Sequence, residues 1–314
     1  MNIQTVGIVG LGLLGRGITA CLLAHGFRVR AFDSDSTRHT QAREHIEQAL
    51  QELADHGLLA PNAGRVSYQA AAALSEFADC DFVIESVVEN LAVKQSVFDE
   101  LEAVLRADVP IASNTSALPI TLLQQPRKHP ARFVGMHWGE PAHVLRFLEV
   151  IRGKQTSEQA FEATVTLGRA LGKDPSLVLD DVRGFIANRL MYAVIREALH
   201  LLESGVGDAE TIDRSFRNDI GWWATLAGPF RWMDLTGLPA YLKVAEGLFP
   251  ELSNAAEVAS VMRKLVESGA DGVTNGKGFY DYTPEAGADW LKRWTEFTWD
   301  IRALADRYTP LDDA

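Results

Sequence analysis

A glycine-rich turn between a predicted strand and a predicted helix constrains the fold of this chain more than any other feature. Gly10, Gly12 and Gly15 form a GxGxxG pattern directly after the apolar run TVGIVG and before LLGRGITACLLAHG, whose apolar residues have helical spacing. The first glycine permits a tight turn, the second lets the backbone approach a pyrophosphate, and the third lets the helix pack on the strand. Free N–H groups at the start of the helix then face the phosphates. The turn therefore predicts a dinucleotide site, with Leu13 and Leu14 among its contacts.

The first half of the chain alternates short β-rich runs with helical patterns. The runs FRVRAFD, DFVIESVV, VPIASNT, RFVGMHW and LRFLEVI are apolar, and helical patterns such as KQSVFDELEAVLR separate some of them. This alternation is typical of parallel βαβ units, so residues 1–183 are predicted to form a Rossmann-type α/β domain with a doubly wound sheet. After about residue 183 only helical patterns follow. We therefore predict a smaller all-helical domain over residues 184–314, for substrate binding and dimerisation.

Composition excludes several classes of protein. Hydrophobic residues make up 47% and charged residues 23% of the chain, as in ordinary folded proteins. A formal net charge of -12 gives no general attraction to nucleic acid or to anionic lipid. No apolar stretch approaches the roughly 18 residues of a membrane helix, and the amino terminus has no charged leader. Cys21 and Cys80 lack metal-ligand spacing, so we expect buried thiols and no metal in a soluble cytoplasmic protein.

An acidic residue after the second predicted strand indicates which dinucleotide binds. Asp33 lies eighteen residues beyond Gly15, where a carboxylate can accept hydrogen bonds from the adenosine ribose. Asp33 and the neighbouring Asp35 would repel the 2′-phosphate of NADP. Arg38 is close enough in sequence to leave NADP open as an alternative. We predict that the cofactor is NAD.

Six motifs occur in an order that resembles one enzyme family. They are GxGxxG, ESVVENLAVK, SNTS, GxHxxxPxxxxxxLEVI, GFIANR and GKGFYDY, and they extend from residue 3 to about residue 282. Together they resemble the L-3-hydroxyacyl-CoA dehydrogenase family. The resemblance implies NAD-dependent interconversion of a 3-hydroxyacyl group, carried on a small molecule, and its 3-oxo form.

The resemblance implies that His137 is the general acid/base and that Glu149, twelve residues later on a strand, holds it. Oxidation of a secondary alcohol requires a group that accepts the hydroxyl proton as hydride leaves, and imidazole titrates in the right range. A carboxylate bound to the far ring nitrogen fixes the tautomer and stabilises the imidazolium. The two residues are therefore expected to form a catalytic dyad.

The resemblance also gives expected roles to five other residues of the site. Ser116 and Asn114 lie in the SNTS turn, where Ser116 should face the substrate oxygen and Asn114 should lie beside the cofactor. Asn188, in GFIANR, would position the substrate carbonyl or donate to a developing oxyanion. Glu89 and Lys94, in VVENLAVK, resemble the pair that contacts the nicotinamide end of the cofactor.

Two departures from the family pattern leave the substrate open. After the histidine the chain reads HWGEP where relatives usually read HFFNP, so Glu140 replaces an Asn; it could contact the ribose, alter the titration of His137 or favour a cationic substrate. The segment that is rich in Lys in relatives that bind coenzyme A is here LQELADHGLLAPNAGRV, whose only firm cation is Arg65. A 3-hydroxyacyl-CoA is the leading substrate class, and a free 3-hydroxy acid such as carnitine or gulonate is the alternative.

The tryptophans and an apolar run near residue 230 leave further hypotheses. Trp138, Trp222, Trp223 and Trp232 could line a small pocket that holds a quaternary ammonium by cation–π attraction, although tryptophans at helical spacing more often belong to a core or an interface. The run GWWATLAGPFRWMDL carries more apolar residues than a small domain can cover, which predicts a homodimer. A protein that binds NAD without catalysis, like some lens crystallins, is the alternative to an enzyme.

Overall fold

The computed structural model of the chain describes residues 2–63, 66–309 and 311. The chain divides into two compact units; the second begins at Ala187, three residues beyond the predicted boundary, and Leu311 groups with the first. The first helix of the second unit begins at Ala187, later than the apolar pattern suggested. Gly184 and Phe185 have φ angles of 79° and 51°, which a right-handed helix cannot contain.

The first unit is built on one eight-stranded sheet with the strand order β3-β2-β1-β4-β5-β6-β7-β8. Its strands are β1 (Thr5–Val9), β2 (Arg28–Phe32), β3 (Tyr68–Ala70), β4 (Phe82–Glu85), β5 (Ile111–Ser113), β6 (Phe133–Trp138), β7 (Phe147–Ile151) and β8 (Asp174–Val178). Central strands place apolar side chains on both faces: Phe82 and Ile84 of β4 belong to one buried cluster and Val83 to the other. Burial on both faces is what a doubly wound sheet requires.

The sheet departs from the predicted parallel arrangement at one edge. All neighbouring pairs are parallel except β6 and β7, which are antiparallel, so β7 and β8 run against the other six strands. Only eight residues, 139–146, separate β6 from β7. A parallel connection needs a crossover of a dozen or more residues, so this link forces the reversal.

Helices pack on both faces of the sheet. They are α1 (Leu13–Ala24), α2 (Arg38–Asp55), α3 (Leu91–Val104), α4 (Ile120–Gln124) and α5 (Glu158–Ala170), with short 3₁₀ turns at Leu74–Phe77 and Pro130–Arg132. Side chains fix where two of them begin. The Asn90 side chain accepts the N–H groups of Ala92 and Val93 at α3, and Ser157 accepts that of Ala160 at α5.

The described part of the second unit is helical apart from isolated β-bridges among Gly272, Lys277 and Asp281, as the helical patterns predict. It contains α6 (Ala187–Glu203), α7 (Ala209–Asn218), α8 (Ile220–Ala224), α9 (Gly228–Thr236), α10 (Leu238–Leu248), α11 (Ser260–Glu267) and α12 (Pro284–Tyr308), with a 3₁₀ turn at Phe249–Glu251. No residue of α6 to α11, all of which are described, is buried. Within the described residues no helix is both long and apolar enough to cross a membrane.

Candidate active site

The reversal of β7 places His137 directly opposite Glu149. The two residues are register partners across the antiparallel pair, and both are buried. The Nδ1 atom of His137 lies 2.8 Å from Oε2 of Glu149. Because an ionised carboxylate only accepts hydrogen bonds, Nδ1 carries the proton of this bond and Nε2 is left to exchange a proton with a substrate.

Two aromatic rings lie close to the imidazole of His137. The Phe147 ring meets it edge-on at 5.5 Å between ring centroids, and the Phe185 ring lies at 5.7 Å in a tilted arrangement. The remaining carboxylate oxygen of Glu149, Oε1, accepts the backbone N–H of Ile186 at 3.0 Å. Sequence reasoning missed the contributions of Phe185 and Ile186.

The glycine-rich turn has the geometry that its sequence predicts. Gly10 has a φ of 96°, and a Cβ on Gly15 would lie 1.9 Å from the carbonyl oxygen of Gly10. Neither position can carry a side chain without moving the backbone. Among the described residues, only the end of the Arg38 side chain, at 3.6 Å, lies within contact distance of a Cβ added at Gly12, so the turn is open to a ligand there. Leu13 is exposed at the start of α1 and Leu14 is half-buried.

Asp33 connects this turn to the end of β2. Its Oδ2 accepts the N–H of Leu11 at 2.7 Å, and its Oδ1 accepts the N–H of Asp35 at 2.9 Å. The Nε of Arg38 lies 4.0 Å from Asp33 and 3.8 Å from Asp35. The carboxylate therefore lies beside the glycine-rich turn, with one cation close to it.

Glu89 shapes the turn that carries Ser116. Its Oε1 accepts the Thr115 hydroxyl at 2.6 Å and the N–H groups of Ser116 and Ala117 at 3.0 Å each. Burial opposes ionisation of Glu89, but the Thr115 hydroxyl, the Lys94 ammonium and the Ala117 N–H outweigh it and hold its pKa below the usual value. The charge on Glu89 thus fixes the backbone around Ser116, whose side chain is half-buried.

Lys94 is completely buried rather than placed at the surface. Its Nζ lies 2.7 Å from Oε1 of Glu85 and 3.3 Å from Oε2 of Glu89. The Ser113 hydroxyl donates to the other oxygen of Glu85 at 2.6 Å. The sequence analysis did not identify Glu85. A carboxylate at the end of the buried run DFVIE requires a charged or hydrogen-bonding partner, so its position could have indicated a buried ion pair. The cofactor contact expected of Lys94 stays a prediction.

Asn114 ties two strand ends together. Its Oδ1 accepts the N–H of Trp138 at 2.9 Å, and its Nδ2 donates to the Ser86 hydroxyl at 3.1 Å. The residue is buried at the carboxyl end of β5. Asn114 therefore holds β6, the strand of His137, beside the ends of β4 and β5.

Comparison with known proteins assigns the chain to a family. Residues 5–182 match the family model for the 3-hydroxyacyl-CoA dehydrogenase NAD binding domain, and residues 184–282 match the model for its C-terminal domain. The chain belongs to the 3-hydroxyacyl-CoA dehydrogenase family. It is an NAD-dependent oxidoreductase of that family, and the resemblance drawn from the six motifs is confirmed.

Relatives within this dehydrogenase family differ in the substrates that their names state. A 5-formyl-3-hydroxy-2-methylpyridine 4-carboxylate 5-dehydrogenase from Mesorhizobium japonicum is 35% identical over 284 residues, which cover 90% of this chain and 92% of the relative. A probable 3-hydroxybutyryl-CoA dehydrogenase from Deinococcus radiodurans is 34% identical over 281 residues, covering 88% and 99%.

Two solved structures that resemble this chain also differ in the substrates that their descriptions state. A crystal structure of the pyridine-carboxylate dehydrogenase, described as an NAD⁺-dependent dismutase, has a TM-score of 0.92 and 33% identity, covering 98% of this chain and 99% of that one. The (S)-3-hydroxybutyryl-CoA dehydrogenase from Ralstonia eutropha has a TM-score of 0.74 and 31% identity, covering 90% and 100%.

Glu140 marks where this dehydrogenase departs from the family pattern. It is an exposed residue of the link between β6 and β7. Partial burial of its carboxyl raises its pKa, against the lowering effects of the Ala142 N–H and the Arg16 guanidinium. The carboxyl of Glu140 is therefore easier to protonate than that of an ordinary surface Glu.

Trp138 belongs to the core, which is one of the alternatives that the sequence left open, and it does not line a pocket. Trp138 is buried in the core with Met136, because alternate residues of β6 face opposite sides of the sheet and His137 faces the other one. The Nζ of Lys173 lies 5.1 Å from the Trp138 ring. In the second unit, Trp223 and Trp232 stack at 5.2 Å between centroids, while Trp222 is exposed.

Three other sequence predictions have different outcomes. Asn188 lies in the first turn of α6, in the second unit, and is half-buried. Arg65 lies outside the described residues. Cys21 and Cys80 are both buried, as predicted. Within the described part of the chain, no group of three His, Cys, Asp or Glu side chains is arranged to hold a metal ion.

Proposed function

We propose that the chain oxidises a hydroxyl-bearing carbon, with His137 as the general acid/base and Glu149 as the residue that holds it. The observation that carries the proposal is the buried 2.8 Å hydrogen bond between the two side chains. Bound NAD supplies the hydride acceptor. As hydride leaves the carbon, Nε2 of His137 takes the hydroxyl proton and Glu149 stabilises the imidazolium. In the reverse direction the imidazolium returns the proton to the carbonyl oxygen.

The other residues of the site are proposed to bind and orient. The Ser116 hydroxyl donates to the substrate oxygen, and Asn188 positions the substrate carbonyl. The glycine-rich turn from Gly10 to Gly15, with Leu13 and Leu14, binds the pyrophosphate, and Asp33 accepts from the ribose. At the nicotinamide end we place Asn114, Glu89, Lys94 and Glu140. Of these, Lys94 acts from inside the protein, through the position of Glu89.

For the substrate we propose a free carboxylic acid in place of a coenzyme A thioester. The supporting observation is the likeness, with a TM-score of 0.92 over 98% of the chain, to an enzyme named for a free pyridine carboxylate. That likeness extends beyond residue 282, where the family models end. The segment 50–66, which lacks the lysines of relatives that bind coenzyme A, supports the same choice. A 3-hydroxyacyl-CoA is the rival substrate.

The same dyad can act on an aldehyde that has added water. A hydrated aldehyde carries a hydroxyl group and a hydrogen on one carbon, so removal of hydride and of the hydroxyl proton leaves a carboxylic acid. A second aldehyde that accepts this hydride and a proton becomes an alcohol. The balance is two aldehydes and one water giving one acid and one alcohol, without net use of NAD. The name of the pyridine-carboxylate relative as a dismutase makes this the second candidate activity.

Parallel assays test the substrate class; they follow NADH absorbance and, because dismutation has no net use of NAD, they also quantify the acid and alcohol products. The substrates are acetoacetyl-CoA, free 3-hydroxy acids, and an aromatic acid that bears a formyl group. We expect kcat/KM for a free acid to exceed that for acetoacetyl-CoA by at least about tenfold. Preference for acetoacetyl-CoA would return the substrate to the thioester class. Lack of turnover with every substrate would favour the crystallin-like alternative, against which the intact dyad argues.

We also propose that the protein forms a homodimer through its helical unit. Several apolar side chains of this unit are more than half exposed, among them Trp222, Phe230, Leu242 and Phe249. In addition, no residue of helices α6 to α11 is buried. A second copy of the chain covers such a surface by an isologous contact.

We also propose that the protein is located in the cytoplasm. Fractionation of cells that express the protein tests this location.

A further inference from the structure

The backbone beside the dyad is held in an unusual conformation. Phe185 has a φ of 51°, and among the described residues it is the one non-glycine residue with a positive φ. Gly184 before it has a φ of 79°. A side chain in the left-handed region crowds its own backbone, so the conformation persists only where the surrounding structure holds it. Such residues concentrate at functional sites.

Burial of the Phe185 ring holds this conformation. The side chain is completely buried, in a cluster that includes Ile120, Ile151 and Val178. The same ring lies 5.7 Å from the His137 ring. The packing that offsets the backbone strain therefore also covers one side of the imidazole.

Hydrogen bonds anchor the segment on its amino-terminal side. The carboxylate of Asp181, a buried residue, accepts the N–H of Thr121 in α4. The N–H of Phe185 donates to the carbonyl of Val182 at 3.0 Å and closes a turn. Residues 181–185 are thus fastened to the first unit before the chain enters α6 at Ala187.

This left-handed turn directs one N–H group at the dyad. The amide that follows Phe185 belongs to Ile186, and it donates to Oε1 of Glu149 at 3.0 Å. His137 contacts the other oxygen, Oε2, at 2.8 Å. A carboxylate held at both oxygens cannot rotate freely about its terminal torsion, so the Ile186 N–H fixes which oxygen faces the imidazole.

We propose that Gly184–Ile186 is a positioning segment for the dyad, in which the left-handed backbone of Phe185 aims the Ile186 N–H at Glu149 and so keeps the Nδ1 proton on His137. The inference rests on the proposed acid/base role of His137. It makes Phe185 a positioning residue that acts through Glu149 and the imidazole. The backbone conformation directs the N–H group, and the buried ring holds a non-glycine residue in that conformation.

Substitutions of Phe185 separate the ring from the backbone. Phe185→Ala removes the ring and keeps a residue that resists positive φ, whereas Phe185→Gly removes the ring and relieves that resistance. Phe185→Leu keeps most of the buried volume. We expect the hydrogen bond between His137 and Glu149 to be better retained in the glycine and leucine variants than in the alanine variant. At an ordinary helical position such as the buried Phe98, glycine is instead more disruptive than alanine, which supplies the control pair Phe98→Ala and Phe98→Gly.

The readout is the tautomer of neutral His137, from imidazole ¹⁵N shifts assigned by the loss of one signal in His137→Gln. In water a neutral imidazole prefers the Nε2–H form. The population of the Nδ1–H form therefore reports whether Glu149 keeps its hydrogen bond with Nδ1. Wild type, Phe185→Leu and Phe185→Gly should retain the Nδ1–H form. Phe185→Ala should give a mixture, and its kcat should fall between about 10- and 100-fold with unchanged NADH affinity. Neither Phe98 variant should change the tautomer.

Two results would overturn the positioning role: a wild-type tautomer and kcat in Phe185→Ala, or equal losses in Phe185→Ala and Phe185→Gly. Failure of the proposed function gives a different result, because His137→Gln would then retain full activity with the substrate that the enzyme turns over. The tautomer measurement needs no substrate, so the two failures are distinguishable.

Discussion

Lys94 and Glu85 form an ion pair 2.7 Å long in which both side chains are completely buried. Removing one partner leaves an uncompensated buried charge, which costs more than the pair contributes. We predict that Lys94→Met lowers the free energy of unfolding of the first unit by about 3–5 kcal/mol, and that Lys94→Met with Glu85→Gln recovers much of this loss. Guanidinium unfolding measures both effects.

The matched control is Lys292, an exposed residue of α12 whose Nζ lies 3.8 Å from Glu296. An exposed pair contributes about 0–1 kcal/mol, so Lys292→Met should have a small effect. Equal unfolding midpoints for Lys94→Met and Lys292→Met would show that the buried pair has no such role.

Acid should destabilise the protein through His45. Desolvation by burial, with Arg16 and His143 nearby, lowers the pKa of His45 from 6.5 to about 4. Between these values the unfolded chain binds a proton that the folded chain does not, so stability is lost as pH falls through this window. His45→Gln should reduce the fall in the urea midpoint between about pH 7 and about pH 4.5. The exposed His200, replaced by Gln, controls for loss of an imidazole; equal pH slopes in wild type and His45→Gln would contradict the prediction.

Local sequence patterns predict the parts of the site that depend on neighbours in the chain. The positions of Gly10, Gly15 and Asp33 follow from a strand, a turn and a helix in fixed order, and the structure has that order. The SNTS turn follows β5 for the same reason. These elements were predictable because local geometry alone determines them.

Contacts between distant segments were not predictable in the same way. Glu85 binds Lys94, and Ile186 binds Glu149, through the packing of elements that no periodicity encodes. The pairing of His137 with Glu149 came from the family resemblance and requires the reversal of β7, which the strand pattern did not show. For Trp138 the sequence left a pocket and a core or interface open, and the alternation along β6 decides for the core.

NAD preference should depend on Asp33. The 2′-phosphate of NADP would add negative charge beside Asp33 and Asp35, and Arg38, at 4.0 and 3.8 Å, offsets only part of it. We predict that kcat/KM for NAD exceeds that for NADP by at least about tenfold, or 1.4 kcal/mol, and that Asp33→Asn narrows the ratio. Asp35→Asn changes a more exposed carboxylate and is the control; it should narrow the ratio of kcat/KM for NAD to that for NADP less than Asp33→Asn does. If wild type used both cofactors equally well, the placement of Asp33 on the ribose would be wrong.

The exposed apolar surface of the helical unit predicts a dimeric mass. Light scattering at micromolar concentration should give twice the 34.5 kDa of one chain. Trp222→Ser with Phe230→Ser should shift the protein towards monomer, because both side chains are more than three-quarters exposed in the single chain. Leu179→Ser, at an equally apolar exposed position of the first unit, should leave the mass unchanged. A monomeric wild type would remove the proposal.

The dyad itself is tested most directly by a double-mutant cycle on kcat with His137→Gln and Glu149→Gln. His137→Gln should lower kcat by roughly 10²- to 10⁴-fold with NADH affinity nearly unchanged, since a proton acceptor is lost and the cofactor site is not. Glu149→Gln should also slow turnover strongly, because an amide cannot stabilise imidazolium and favours the wrong tautomer. Because both side chains serve one proton transfer, joined by a 2.8 Å hydrogen bond, the double variant should be little slower than His137→Gln alone. Full activity of His137→Gln at neutral pH, or losses in the two single variants that multiply in the double variant, would contradict the account.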